Sequence, residues 1–324
     1  MAEWLLEEGI GEDRAILLDG ATIIAARLAR HSDLRPGQVA DVKLVSRPAG
    51  STRGLVEFDN KERALVSRLA RDASEGATIR VEVTRATITE ARRSKLAQAR
   101  LIDKPLTAGA SLADTLRNAG HDVRVVRHFP ECDWDELLGE AFDQQVAFHG
   151  GMLFFSSTPA MTLIDIDTGM NPLQGALAAV PAAAASLRRF NLGGSIGIDF
   201  PTLSAKADRR AVDDALADAL ADWPHERTAM NGFGFVQIVA RLERPSLLHR
   251  IRYDRLEAAA FQLLRHAELL EGPGRLLLQV NPALEPELRR EWLDELRRRT
   301  GRELVIAALE NVALFSPHAQ IVPR

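Results

Sequence analysis

The sequence predicts an α+β fold: a small β-barrel next to a mixed α/β core, followed by a small α/β unit at the C-terminal end. Three observations lead there. Short apolar runs punctuated by glycine fill residues 36 to 90. Between about 146 and 253, strand-like runs alternate with helical patterns, and two of those strands end in aspartate. After 254 a helix, strand, helix, strand succession repeats on a smaller scale. The predicted segments are 1–35, 36–98, 99–145, 146–253 and 254–324.

Residues 1–35 read as two strands about the turn Leu18-Asp19-Gly20. In the next segment Val39, Val42, Leu44, Leu55, Val56 and Phe58 fall in short strand-like runs, and Ile79-Arg80-Val81-Glu82-Val83 alternates cleanly. Several short strands separated by glycine suit a five-stranded OB-type barrel. Ser111 is placed to cap a short helix stopped by Gly120, Asp122 to Val126 reads as a strand, and Asp133 to Val146 as a helix capped by Asp133. Met152 to Ser156 and Met161 to Ile166 form a hairpin about Ser157-Thr158-Pro159. An alanine-rich helix follows to Arg189, which Pro181 should kink or divide. Ser195 to Phe200 is a strand, 205 to 222 an amphipathic helix with Val212, Leu216 and Leu220 on one side, and Phe233 to Val239 a strand whose Phe233 and Phe235 read as core. Beyond it come helices over 255–270 and 285–299 and strands over 275–280 and 303–309.

Composition excludes several classes. Of 324 residues, 46% are hydrophobic and 27% charged, an ordinary globular mix. The single cysteine, Cys132, rules out an internal disulfide framework or a multi-cysteine zinc site, and has no histidine neighbour in a nucleophile motif. The acidic start MAEWLLEEGIGEDR does not read as a signal peptide, and no run approaches the roughly 18 apolar residues that span a bilayer. The expectation is a soluble cytoplasmic protein. A net charge of -4 gives no global pull on polyanions, so nucleic-acid binding would need local patches. Three arginine clusters qualify: Arg92, Arg93, Lys95 and Arg100; Arg241, Arg244, Arg250, Arg252 and Arg255; and Arg289, Arg290 and Arg297 to Arg299. The last alternates with Glu291, Asp294 and Glu295 and reads as a solvated helix face.

The chemistry concentrates in Thr162-Leu-Ile-Asp165-Ile-Asp167-Thr-Gly169 and Ile196-Gly-Ile-Asp199-Phe200. A carboxylate buried in an apolar strand without a partner is costly, and a bound cation is the most direct compensation. Asp165 and Asp167 are two apart and share a strand face. With Asp199 from a neighbouring strand they offer three hard oxygen ligands of the kind magnesium takes beside phosphate oxygens and water. The competing reading is an ordinary turn at Asp167-Thr168-Gly169. His149, before Gly150-Gly151, reads as a surface residue close to this region.

The string Gly150-Gly151 to Gly169, followed by Leu192-Gly-Gly-Ser-Ile-Gly-Ile-Asp199-Phe200, resembles the catalytic domain of the ribonuclease E/G family. Arg209-Arg210-Ala-Val and Gly232-Phe-Gly-Phe235 fall where that family has its next helix and its Phe-Gly strand, and Glu90-Ala-Arg-Arg-Ser-Lys95-Leu resembles the stretch after its RNA-binding barrel. The resemblance implies a magnesium-dependent endoribonuclease, with manganese as a substitute, cutting single-stranded RNA. It implies catalytic, metal-binding roles for Asp165 and Asp199, with Asp167 as a further ligand where the family has an asparagine, and RNA contacts from Lys95, Arg92, Arg93 and Phe58. It assigns 36–98 to the RNA-binding barrel, 99–145 to a reduced ribonuclease-H-like remnant and 146–253 to a deoxyribonuclease-I-like catalytic domain.

Departures from the family pattern matter as well. Residues 245 to 260 contain no cysteine, so no zinc-link and no dimer built on one is expected, though a homo-oligomer formed otherwise is compatible. The insertion carrying the 5′-monophosphate pocket is mostly missing between Arg100 and Asp133, aliphatics stand for the stacking aromatics around Leu55 and Leu65, and Gly232 replaces an arginine. A catalytically weak RNA-binding relative and a metal-dependent phosphodiesterase acting on other nucleic acid are the alternatives.

Overall fold

The computed structural model describes residues 3–89, 94–315 and 318–323. The chain opens with three antiparallel strands, β1 (Trp4–Glu8), β2 (Glu12–Asp19) and β3 (Thr22–Arg30), the last two joined at Gly20, whose φ of +62° suits glycine. The sequence reading had two strands here; β1 is the third. It is buried along Trp4, Leu5, Leu6 and Glu7, with no polar alternation to mark it.

The barrel follows. β4 (Val39–Ser46), β5 (Gly54–Glu57), β6 (Arg63–Ser67) and β7 (Thr78–Arg85) lead to a short pair, β8 (Ile88–Thr89) with β9 (Ser94–Lys95), and then β10 (Ala97–Leu101). The barrel closes in the order β10-β6-β5-β4-β7, with β10 parallel to β6 and antiparallel to β7. Leu44, Val56, Phe58, Val66, Val81 and Val83 fill it. The closing strand runs three residues past the predicted edge at 98, and its inward positions are only Ala97 and Ala99, too small to announce a strand.

α1 (Leu112–Asn118) is capped as expected: the Ser111 hydroxyl accepts from the Asp114 amide at 3.0 Å. β11 (Val123–Val125) then returns to the first sheet, parallel to β1, giving the order β11-β1-β2-β3. α2 (Trp134–Asp143) begins after Asp133, yet that side chain does not cap it; its Oδ1 accepts from the Ile23 amide at 2.9 Å and ties the helix to β3. The helix predicted to reach Val146 stops at Asp143, where Gln144 turns left-handed (φ +58°), and β12 (Gln145–Phe148) begins.

The central sheet has the order β12-β13-β14-β15-β17-β16. Its members are β12, β13 (Gly151–Ser157), β14 (Thr162–Thr168), β15 (Gly194–Asp199), β16 (Glu226–Arg227) and β17 (Phe235–Ala240). α3 (Pro172–Arg189) carries the chain from β14 to its parallel neighbour β15, and α4 (Lys206–Ala219) packs on α3. Pro181 sits inside α3 without dividing it. A proline there costs about 3 kcal/mol. The helix buries Ala176, Ala179, Val180, Ala183, Ala184 and Leu187, and each large apolar side chain so buried returns roughly 1.5 to 3 kcal/mol. Strand alternation does the rest. Leu153, Phe155, Ile164, Ile166, Ile196, Ile198, Val236 and Ile238 line one buried face of the sheet, leaving the opposite face open.

α5 (Leu247–Tyr253) and the start of α6 (Arg255–Leu269) complete this core. From Ala259 onward a second cluster forms with β18 (Arg275–Val280), α7 (Arg290–Thr300), β19 (Leu304–Ala308) and β20 (His318–Val322), and it takes in Ile10 from the turn between β1 and β2. α7 starts at Arg290; the earlier residues predicted as helix hold only a 3-10 turn over Glu285–Glu287, ahead of Leu288.

Arg30 binds these parts together. It is 3% exposed at the end of β3 and meets Asp254 at 2.8 Å, Glu257 at 2.5 Å and Glu12 at 3.7 Å. Three carboxylates keep its guanidinium charged against the cost of burial. Removing one partner of a buried ion pair strands the others. Arg30→Ala is therefore expected to lower stability by about 3 to 5 kcal/mol, read as a shifted urea midpoint.

Candidate active site on the open sheet face

The parallel register of β14 and β15 sets Asp165 directly beside Asp199, as Ile164 is beside Ile198. Strand spacing puts the two backbones about 4.8 Å apart at that row. The row continues on both sides: Phe154 pairs with Asp165, and Phe235 with Asp199. Across four strands it reads Phe, Asp, Asp, Phe. Both carboxylates lie on the open face and are exposed. The expectation of acids buried inside apolar strands is thus corrected: the apolar neighbours Ile164, Ile166 and Ile198 point to the helices, and alternation turns the aspartates to solvent.

Neither aspartate has a hydrogen-bond donor or a basic partner among the described residues. Like charges directly opposite on adjacent strands repel. Partial desolvation and then the Asp165 charge hold the Asp199 carboxyl above its ordinary range. Asp167 shares the same face but lies one pleat further along, about 6.6 Å by strand geometry. No three His, Cys, Asp or Glu side chains converge as a metal cluster among the described residues. The register sets Asp165 and Asp199 side by side, with Asp167 adding charge at the edge of that pair.

The surroundings of the pair are shaped by glycine. At Gly197, one row from the aspartates, a Cβ would collide with the Phe235 ring, so that ring lies down on the sheet beside Asp199. At Gly234 (φ +92°) a Cβ would meet the Phe200 carbonyl, and the Phe200 amide donates to the Gly234 carbonyl at 3.2 Å. The turn before β17 is thereby pressed against the residue following Asp199. Asn231 fixes it further, its Oδ1 accepting from the Phe233 and Phe235 amides at 2.8 and 3.1 Å. Phe233, read from sequence as core, stands on this turn 82% exposed. Period-2 reasoning failed because Phe233 precedes the strand, which begins only at Phe235. The signal available in sequence was the Asn231-Gly232 pair before it, a turn signature. His149 is exposed at the β12–β13 turn, at the end of the sheet where Gly151 pairs with Thr168.

The remaining site candidates are dispersed. Phe58 is 5% exposed inside the barrel, so its ring offers no face to a stacked base, whereas Leu65 on β6 is 50% exposed. Lys95 lies on β9, half-buried; Arg92 and Arg93 lie outside the described residues. The second arginine cluster is largely turned inward: Arg250 pairs with Asp33 and Asp254, and Arg255 stacks over Phe142 at 4.3 Å. In the third, Arg290, Arg297, Arg298 and Arg299 pair with Asp294 or Glu295 within their own helix, as read. Cys132 is half-buried, and burial raises its thiol pKa, which opposes nucleophilic use. No helix among the described residues is long and apolar enough to cross a membrane.

The comparison with known proteins falls on this same stretch. The chain is 29% identical over 186 residues to Ribonuclease G of Escherichia coli strain K12, covering 49% of this chain and 38% of that protein. It is 32% identical over 155 residues to Ribonuclease G of Haemophilus influenzae, covering 40% of this chain and 31% of that protein. The matched region thus spans under two-fifths of the length of these relatives. A sequence model of the Ribonuclease E/G family matches residues 60–241, more than half of the chain and inclusive of the barrel's later strands, both aspartate strands and β17. The chain belongs to the ribonuclease E/G family.

Proposed function

We propose that this protein is a magnesium-dependent endoribonuclease that cuts single-stranded RNA on the open face of the central sheet, without sensing a 5′-monophosphate. The observation that carries this reading is the register pairing of Asp165 with Asp199, two exposed carboxylates that nothing else in the described chain neutralises. A hard divalent ion fits such a pair: magnesium commonly takes one or two carboxylates and leaves its other positions to water and phosphate. When bound there, the ion supplies Lewis acidity and a water of lowered pKa toward a phosphodiester.

The chain's own residues do the positioning. Asp165 and Asp199 would hold the ion from adjacent strands, with their spacing set by backbone pairing and not by side-chain choice. Phe235 and Phe154 flank the pair and narrow its exposure to water. Phe233 offers a bare aromatic face close to Asp199, on a turn tied down by Asn231, where a base next to the scissile bond can stack. The five-stranded barrel, of OB type in this reading, guides the strand with Lys95 as a phosphate contact. The domain assignment follows: 36–98 binds RNA and 146–253 cleaves it, in a cytoplasmic protein.

One observation favours the alternative of a weakly active RNA-binding relative. With Phe58 inside and Leu65 outside, the barrel lacks a stacking ring at these positions, and stacking supplies about 1 to 3 kcal/mol per base. Cleavage of a labelled single-stranded RNA with magnesium decides between the two; binding without cleavage in magnesium and manganese sinks the nuclease reading. Asp165→Asn and Asp199→Asn should each reduce kcat by at least about a hundred-fold with the fold intact.

The carboxylate pair also predicts a thermal signature. A carboxyl with its folded pKa raised binds its proton more tightly in the native state, so stability falls as pH rises through that pKa. In metal-free protein at neutral pH, Asp199→Asn should melt higher than wild type, and the gap should close in acid. Manganese should raise the melting temperature of wild type and leave that variant unchanged. For the stacking turn, Phe233→Ala should raise KM about ten-fold with little change in kcat, and Phe233→Tyr should restore it.

A further inference from the structure

Away from the aspartates, β3, α1 and the segment after β17 enclose a cavity of about 160 Å³. Arg27, Thr115, Asn191, Arg241, Glu243 and Arg244 supply its polar lining. It lies at the opposite end of β15 from Asp199, near the row where Gly194 pairs with Ala240, some five residues or about 16 Å along the strand. It is therefore separate from the proposed catalytic face.

Two arginines of this cavity, Arg27 and Arg244, differ from the buried arginines that hold the fold together. Arg30, Arg250 and Arg265 are buried against carboxylates. Arg27 has none within ion-pair distance. Its Nη1 donates to the Ala26 and Arg188 carbonyls at 2.8 and 3.3 Å, its guanidinium sits 5.3 Å from the Trp4 ring centre, and its Nε and Nη2 donate to nothing in the described chain. Arg244 likewise makes no ion pair; only its Nη2 is engaged, 3.4 Å from the Thr115 hydroxyl. The nearby acids are committed elsewhere, Glu243 to Arg241 at 2.5 Å and Asp33 to Arg250. Desolvation lowers the pKa of both guanidinium groups, that of Arg27 to about 10. Two cations in a small cavity with unused N–H donors and no carboxylate partner, beside a Glu243 already paired with Arg241, are in place for an external anion.

We infer that this cavity binds a phosphate group, held by the free N–H donors of Arg27 and Arg244 with Thr115 and Asn191 beside them and Arg241 at its mouth. Arginine forks match the oxygens of a phosphate, and such charge-assisted bonds are strong where water is excluded. The group can be free inorganic phosphate or a phosphodiester of an RNA strand that passes this side of the molecule. The inference stands whether or not the aspartate pair cleaves RNA.

The test uses the full chain and two ligands, inorganic phosphate and a short RNA with hydroxyl ends, titrated by calorimetry without divalent metal. Arg27 is left intact because it also holds Trp4 and the end of α3. Arg244→Gln should weaken phosphate binding about ten-fold or more, and Arg241→Gln, at the exposed mouth, by a few-fold. If the RNA loses affinity in step and phosphate competes with it, the ligand is a strand phosphodiester. If only phosphate responds, it is the free ion. Absence of phosphate binding to wild type at 10 mM, or equal binding by folded variants, overturns the inference. Should Arg244→Gln fail to fold, Arg241→Gln decides alone by the same criterion.

Discussion

The parallel pairing of β14 and β15 is the constraint from which the rest of the candidate site follows. Parallel strands need a crossover, and α3 provides it, packed on the sheet through small side chains. Its burial fixes which face of each strand turns inward. A slip of one residue in β15 would send Asp199 under the helices and Ile198 to solvent, so the hydrophobic core itself guards the register of the acids. Two like charges side by side are unfavourable when left alone. The fold tolerates them because they face water and because the isoleucines around them contribute far more than the repulsion costs.

Much of this was legible from residue order. The two aspartate strands, the hairpin before the first, the α4 stripe of Val212, Leu216 and Leu220, and the Ser111 cap all follow from periodicity and local hydrogen-bonding chemistry. What escaped is equally physical. The closing barrel strand carries alanines inward and gives almost no amphipathic signal. The helix predicted to end at Val146 overruns the first half of β12, because Val146 continues the helical spacing from Phe142, and only the left-handed Gln144 breaks it. The aspartates lie on the expected strands but face solvent, a placement that the alternation of Ile164 and Ile166 with Asp165 and Asp167 already carries.

Arginine content misleads in a similar way. The stretch from Arg241 to Arg255 looks like a polyanion-binding surface when read linearly, yet Arg250 closes a network with Asp33 and Asp254, which Arg30 extends to Glu12 and Glu257. Arg265 does the same with Glu7 and Glu268. Of these contacts, Arg30 with Asp254 and Glu257, Arg250 with Asp33, and Arg265 with Glu7 join residues more than two hundred positions apart and tie the first sheet and the segment after it to α5 and α6. Much of the charge that appears available in this stretch of sequence is consumed by assembly.

The first sheet has one more implication. β1 lies between β2 and β11, so the chain leaves this sheet after β3, builds the barrel and α1, and comes back to the same sheet at β11. The barrel is held at two anchorages on one rigid base, like a handle on a cup. The two anchorages, β3 and β11, are the opposite edge strands of that sheet, so the insert is tethered at both ends and not hung from a single linker.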